Sequence, residues 1–153
     1  MDPREQRIAC RELMETSRVA YLTTLGPDGY PRTRAMLNLR NRELYPRQVP
    51  LYAGHADDLL TYFTTSRASI KVAQIAANPR VGVYCCDPES YRGLMLGGDL
   101  EIVDDPTLRR AVWNEGWERY YPGGPDDADH AVLRLRPRFA EGWWSGERIQ
   151  FRL

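Results

Sequence analysis

The chain has little of what would place it in several large classes. No apolar run approaches the length a bilayer-spanning helix needs. The first residues, Met1-Asp2-Pro3-Arg4-Glu5-Gln6-Arg7, lack the apolar stretch of a secretory signal. A cytoplasmic protein is therefore expected. There are three cysteines, Cys10, Cys85 and Cys86, an odd number that argues against a disulfide framework. There are two histidines, His55 and His130, with no metal-ligand spacing around either. Formal net charge is zero, and the arginines are scattered among acids rather than gathered in a stripe. Nucleic acid and anionic membrane surfaces are not the expected partners. Lysine is nearly absent: among 21 basic residues only Lys71 is lysine.

What is present suits one soluble domain spanning 1–153, long enough for a real core. Asp2-Pro3-x-Glu5 is a capping box with proline at the first helical position, and Cys10, Leu13 and Met14 follow at helical spacing. The helix should stop near Ser17. Val19–Leu25 is rich in strand formers, and Gly26-Pro27-Asp28-Gly29 is a turn. From Tyr30 to Arg40 the chain alternates. Thr33, Ala35, Leu37 and Leu39 share one face, with Arg32, Arg34, Met36, Asn38 and Arg40 on the other.

Asn41–Asp58 reads as a long loop with a short strand at Val49–Ala53. Leu59–Thr65 should be a strand, Ala68–Ala77 a helix stopped by Asn78-Pro79, and Val81–Cys86 a strand. Tyr91–Val103 is a longer strand whose internal glycines suggest bulges. A helix from Asp105-Pro106 should run through Leu108, Val112 and Trp117. Asp126–Asp129 reads as a solvated acidic loop. Ala131–Arg136 and Phe139–Trp144 are expected as two strands across Pro137, with a last strand from Ile149. Seven strands joined mostly by short turns, with three helices, give a mainly β (α+β) fold and an antiparallel barrel.

One segment carries chemistry. Thr64, Thr65, Ser66 and Ser69 crowd the start of a helix, where unpaired backbone N–H groups favour an anion. Lys71 sits in the opening turns, on the unfavourable side of the helix dipole unless an anion is bound. Arg32 and Arg34 share a strand face and would reinforce an anion site. Locally, a plain Ser/Thr cap with a solvent-facing lysine explains the same residues equally well.

The order Arg34-Ala35-Met36-Leu37, Phe63-Thr64, Ser69-x-Lys71 and Gln74-Ile75-x-x-Asn78-Pro79-Arg80-Val81 resembles the pyridoxamine 5′-phosphate oxidase-like flavin-binding split-barrel superfamily. The nearest branch is the small general-stress-protein type. The resemblance implies a split barrel that binds FMN and pairs as a homodimer with flavin sites at the interface. It implies that Arg34, Thr64, Ser69 and Lys71 grip the flavin phosphate. By the same resemblance Ala35, Met36 and Leu37 run beside the flavin ring, Phe63 lies at the pocket, and Trp143 approaches from the partner subunit. The late aromatics, Trp113, Trp117, Tyr120, Tyr121, Trp143 and Trp144, would suit such an interface, although core packing explains each of them singly.

Four departures stand out. The Thr64–Ser69 interval is one residue longer than the usual pattern. Ile70 replaces the usual central arginine, leaving Arg67 or Arg32 to compensate. The Asn41–Asp58 loop is longer than in short relatives and could cover a pocket. The arginine-rich C-terminal segment with which vitamin B6 oxidases hold substrate is not evident, so that reaction is not expected. Three functions stay open: a flavin-dependent oxidoreductase acting on a small molecule, a non-catalytic flavin-binding stress protein, and a deazaflavin (F420)-binding reductase.

Overall fold

The computed structural model describes residues 1–153. The Asp2 carboxylate accepts from the Arg4 and Glu5 amides at 2.8 Å each, and Glu5 returns the capping box. Helix α1 (Pro3–Thr16) follows and buries Ala9, Cys10, Leu13 and Met14. Strands β1 (Val19–Leu25) and β2 (Pro31–Leu37) form the expected hairpin, with Leu22 opposite Arg34. A 3-10 helix at Pro46–Tyr52 replaces the expected short strand at Val49–Ala53. Two prolines in that segment remove ladder donors, so a turn-rich course suits it better.

Next come β3 (Thr61–Ser66), α2 (Ile70–Ala77), β4 (Arg80–Asp87), β5 (Arg92–Val103) and α3 (Pro106–Ala111). The α3 helix stops well short of Trp117, which starts a separate 3-10 turn. The two strands expected across Pro137 are one, β6 (His130–Trp144). Pro137 is tolerated because the ladder slips there, between Gly97 and Gly98 of β5, so the missing N–H falls at an irregularity. A tight turn at Ser145-Gly146, both at positive φ, leads into β7 (Glu147–Arg152).

All ladders are antiparallel, in the order β2-β1-β4-β5-β6-β3, with β7 paired to the far part of β6. The sheet curls until its two ends, β2 and β3, approach each other without a ladder between them. This is an antiparallel split barrel with flanking helices. Its main core holds Leu22, Phe63, Leu94, Leu96, Leu133 and Leu135, and α1 closes one end with Cys10, Leu13 and Met14.

A second core lies outside the barrel, where Leu39, Tyr52, Leu60 and Tyr62 meet Val112, Trp113 and Trp117. The Asn41–Asp58 loop belongs to it. Gln48, fully buried, donates to the carbonyls of Ala111 and Trp113, and Arg40 holds the carbonyls of Leu60 and His55. The loop is thus pinned against α3. Trp113 and Trp117 are core residues, not interface residues.

The outward face of the sheet is continuous across five strands. Leu37, Val19, Cys86, Gly93 and Trp143 form one row; Ala35, Tyr21, Tyr84, Met95 and Glu141 form the next. On β2 the apolar alternate positions therefore face out, and Leu37 is 46% exposed. The cationic positions face inward, toward the barrel and α2.

The β5–β6 contact is close enough to require glycine at Gly142, where a Cβ would overlap the carbonyl of Gly93. The obstacle is backbone, which cannot swing aside. Gly142→Ala should lower stability by about 1–3 kcal/mol, the usual cost of overpacking. Urea unfolding followed by tryptophan fluorescence measures it, and an unchanged midpoint would contradict the close packing.

Candidate functional site

The site forms where the barrel is open. Arg34 lies on the inward face of β2, opposite Leu22. Its Nη1 donates to Thr24 Oγ1 at 2.8 Å, to the Arg32 carbonyl at 3.0 Å and to the Leu22 carbonyl at 3.3 Å. Nη2 reaches Gln74 Oε1 at 3.4 Å. Gln74, on α2, also accepts from the buried Thr24 hydroxyl at 2.6 Å. Three elements therefore fix the guanidinium before any ligand arrives, and every acceptor it touches is neutral.

Lys71 stands in the first turn of α2 and donates to Thr65 Oγ1 at 2.9 Å. No carboxylate pairs with Lys71 or with Arg34. Partial burial lowers the Lys71 pKa below that of a free lysine, and the nearby Arg34 charge lowers it further. Burial likewise lowers that of Arg34. Two partly desolvated cations, near enough for Arg34 to lower the Lys71 pKa, thus have no carboxylate to neutralise them.

Ser69 completes the arrangement. It occupies the N-cap position of α2, yet its side chain makes no capping bond, and its buried Oγ has no partner at all. Beside it the first amides of α2 lack intrahelical acceptors. Two unpaired cations, an orphaned hydroxyl and a helix N-terminus together fit a phosphate dianion.

The turn that presents these groups is held by a residue the sequence did not flag. Asp129 accepts from Ser66 Oγ at 2.7 and 2.9 Å and from the Ala68 amide at 3.1 Å, and its carbonyl accepts from the Arg67 amide. The expected solvated acidic loop is thus partly structural. Its partner lies 63 residues away, beyond any local pattern.

Lys71 donates to Thr65, and the neighbouring Thr64 points to the opposite face of β3. Neither proposed substitute for the arginine missing at Ile70 is free. Arg67 pairs with Asp104 at 2.5 Å and Arg32 with Asp28 at 2.6 Å. Ile70 itself is 75% exposed.

Phe63 and Met36 turn their side chains into the main core, so at the pocket each offers backbone only. Ala35 and Leu37 face out. Trp143 is 51% exposed on the outer sheet face. It lies four strand spacings from β2, roughly 19 Å along the sheet, and is not part of this chain's Arg34–Lys71 cradle. No group of three His, Cys, Asp or Glu side chains is placed to hold a metal. No helix is long and apolar enough to cross a membrane.

Comparison with known proteins agrees with the fold. The family description of pyridoxamine 5′-phosphate oxidase matches residues 7–144. A solved protein from Clostridium acetobutylicum, related to general stress protein 26 of Bacillus subtilis and of the pyridoxinephosphate oxidase family, is 27% identical. The match covers 97% of this chain and 95% of that one, with a TM-score of 0.77. An F420 reductase is 28% identical over 85% of this chain and 94% of its own, with a TM-score of 0.57. The general stress FMN/FAD-binding protein of Xanthomonas citri shares the fold at 19% identity, over 98% of this chain and 96% of that one, with a TM-score of 0.67.

One curated relative is the L-cysteine:1D-myo-inositol 2-amino-2-deoxy-alpha-D-glucopyranoside ligase of Clavibacter michiganensis subsp. michiganensis. It is 28% identical over 100 residues, which make up 65% of this chain but only 23% of the relative.

Lys71→Ala should weaken binding of a phosphate monoester at this cradle by about 1.5–3 kcal/mol, the loss of one charge-assisted hydrogen bond. Binding should also fall at both ends of the pH range. Below about pH 6 the phosphate dianion takes up one proton and becomes a monoanion. In alkali Lys71 loses its proton earlier than a free lysine would, because its pKa is depressed. The alkaline limb should disappear in Lys71→Arg. Calorimetric titration with a phosphate monoester across pH measures both limbs.

Proposed function

The chain belongs to the pyridoxamine 5′-phosphate oxidase family, and on that premise we propose that it binds FMN and acts as a flavin-dependent oxidoreductase on a small molecule. The observation that carries this reading is the Arg34–Lys71 pair, uncompensated by any carboxylate and set beside the orphaned Ser69 hydroxyl. FMN ends in a phosphate monoester, and two cations balance its two charges. Bound there, FMN would supply the electron chemistry. The chain's own share is to hold and exclude. Arg34, Lys71, Thr65, Ser69 and the first amides of α2 bind the phosphate. The backbone of Ala35, Met36 and Leu37 lines the way from the phosphate toward the ring, with Phe63 and Thr64 supporting from β3.

A homodimer completes the site in this reading. The phosphate cradle lies on one edge of the sheet and the exposed Trp143 far from it. A second copy packed on the apolar outer rows would bring its Trp143 to the first copy's flavin. The whole chain then serves as one flavin-binding domain, working in the cytoplasm with its three cysteines as free thiols.

A deazaflavin is the second candidate, favoured by the likeness to the F420 reductase. Its tail carries a phosphodiester and further carboxylates, which ask for more cations than the two left free. That shortage favours FMN.

Freshly purified protein should be yellow, with flavin absorption released on denaturation, and a nicotinamide donor should bleach it. Colourless protein that gains no flavin on titration would sink the reading, and tighter binding of F420 in competition would replace it. Flavin that binds but turns over with no donor would leave a flavin-storing protein instead of an enzyme. Trp143→Ala should leave the fold intact and shift flavin fluorescence in the dimer.

A further inference from the structure

A second cleft, of about 1050 Å³, opens between α1, the Ala56–Leu60 segment and β6. None of the phosphate-cradle residues lines it. Its floor is apolar, made partly by Ile8, Leu60 and Pro137, while Arg4, Arg7, Arg11 and Arg136 stand around it.

Arg4, Arg7 and Arg11 recur at i, i+3 and i+7 and so form one stripe along α1. None of the three pairs with a carboxylate. Arg4 also lies at the positive end of the helix dipole. Like charges in a row, against a dipole and without counter-ions, are unfavourable unless an anion visits.

Arg7 is the best prepared of them. Its guanidinium lies over the Phe151 ring, 4.6 Å from the centroid, and Nη2 donates to the Arg152 carbonyl at 3.3 Å. Nη1 is buried and has no partner. A buried guanidinium nitrogen left unpaired is costly, so the site is incomplete as it stands. Two carboxylates also line the cleft. Asp58 is held by His55 at 2.8 Å and Arg136 by Glu101 at 3.7 Å, so the three unpaired arginines of α1 outweigh the remaining Asp57. The volume lies at the upper end of the range for small-molecule sites.

We propose that this cleft binds an amphipathic anion, a carboxylate or phosphate monoester on an apolar body, at a site separate from the flavin cradle. The arginines, Arg7 foremost, take the head, and the floor of Ile8, Leu60 and Pro137 takes the body.

The test uses the full chain as purified and monomeric dodecanoate, dodecyl phosphate and dodecanol, followed by calorimetry. One dodecanoate or dodecyl phosphate should bind per chain, at least tenfold more tightly than dodecanol or inorganic phosphate. The double variant Arg7→Gln/Arg11→Gln should lose at least tenfold. Ile8→Glu, which adds a carboxylate at an exposed helix position, should lose as much and covers the case in which the double variant does not fold. FMN binding should stay unchanged in Ile8→Glu, which separates this site from the cradle. Equal affinity for dodecanol, or dodecanoate affinity indifferent to these substitutions, would overturn the proposal. So would attachment to phosphatidylglycerol vesicles without binding of free dodecanoate, since the partner would then be a membrane surface.

Discussion

Two positive charges are held close together at the one place where the barrel does not close. Arg34 comes from β2 and Lys71 from α2, which follows β3, so the pair spans the split between the first and last strands of the sheet order. Burial and mutual repulsion both depress the Lys71 pKa. A protein free to optimise stability alone would place a carboxylate here or remove one charge. Instead Thr24, Gln74 and Thr65 hold both cations with neutral oxygens. The pair is tolerable in the empty protein and strongly favourable once a dianion is added. The hydroxyl of Ser69 and the start of α2 point to the same ligand chemistry.

The rest of the fold serves this placement. Helix α1 and the main core fix the curl of the sheet, which sets how far apart β2 and β3 stand. The second core locks the long loop against α3. Asp129 ties the turn before α2 to the start of β6, so the helix N-terminus cannot drift from the strand that carries Thr65. The outer sheet face leaves Leu37, Tyr84 and Trp143 exposed.

Much of the fold was legible because local rules and tertiary packing agree. The capping box of α1 and the β1–β2 hairpin lie where composition and alternation put them. Disagreement arose where distant contacts decide. Pro137 reads as a strand break, yet a ladder slip against β5 absorbs it. Prolines near Val49 and burial of Gln48 turn an apparent strand into a 3-10 segment. At the site, the alternation of β2 put Arg32 and Arg34 on one face, but which of Thr64 and Thr65 turns toward Lys71 depends on the register of β3 against β6, which no local pattern encodes. Asp129 was invisible for the same reason. Lys71, the chain's only lysine, was the residue that sequence singled out most clearly, and the structure sets it in the uncompensated pair.

If that pair holds a phosphate, the phosphate must account for most of the affinity. Riboflavin has the same ring system and lacks only that group, so a side-by-side titration of FMN and riboflavin isolates it. Loss of contacts to two cations should weaken binding by about 3 kcal/mol or more, at least a hundredfold. Equal affinity for the two flavins would mean that Arg34 and Lys71 do not bind the cofactor, and would contradict the assignment of this cradle to the flavin phosphate.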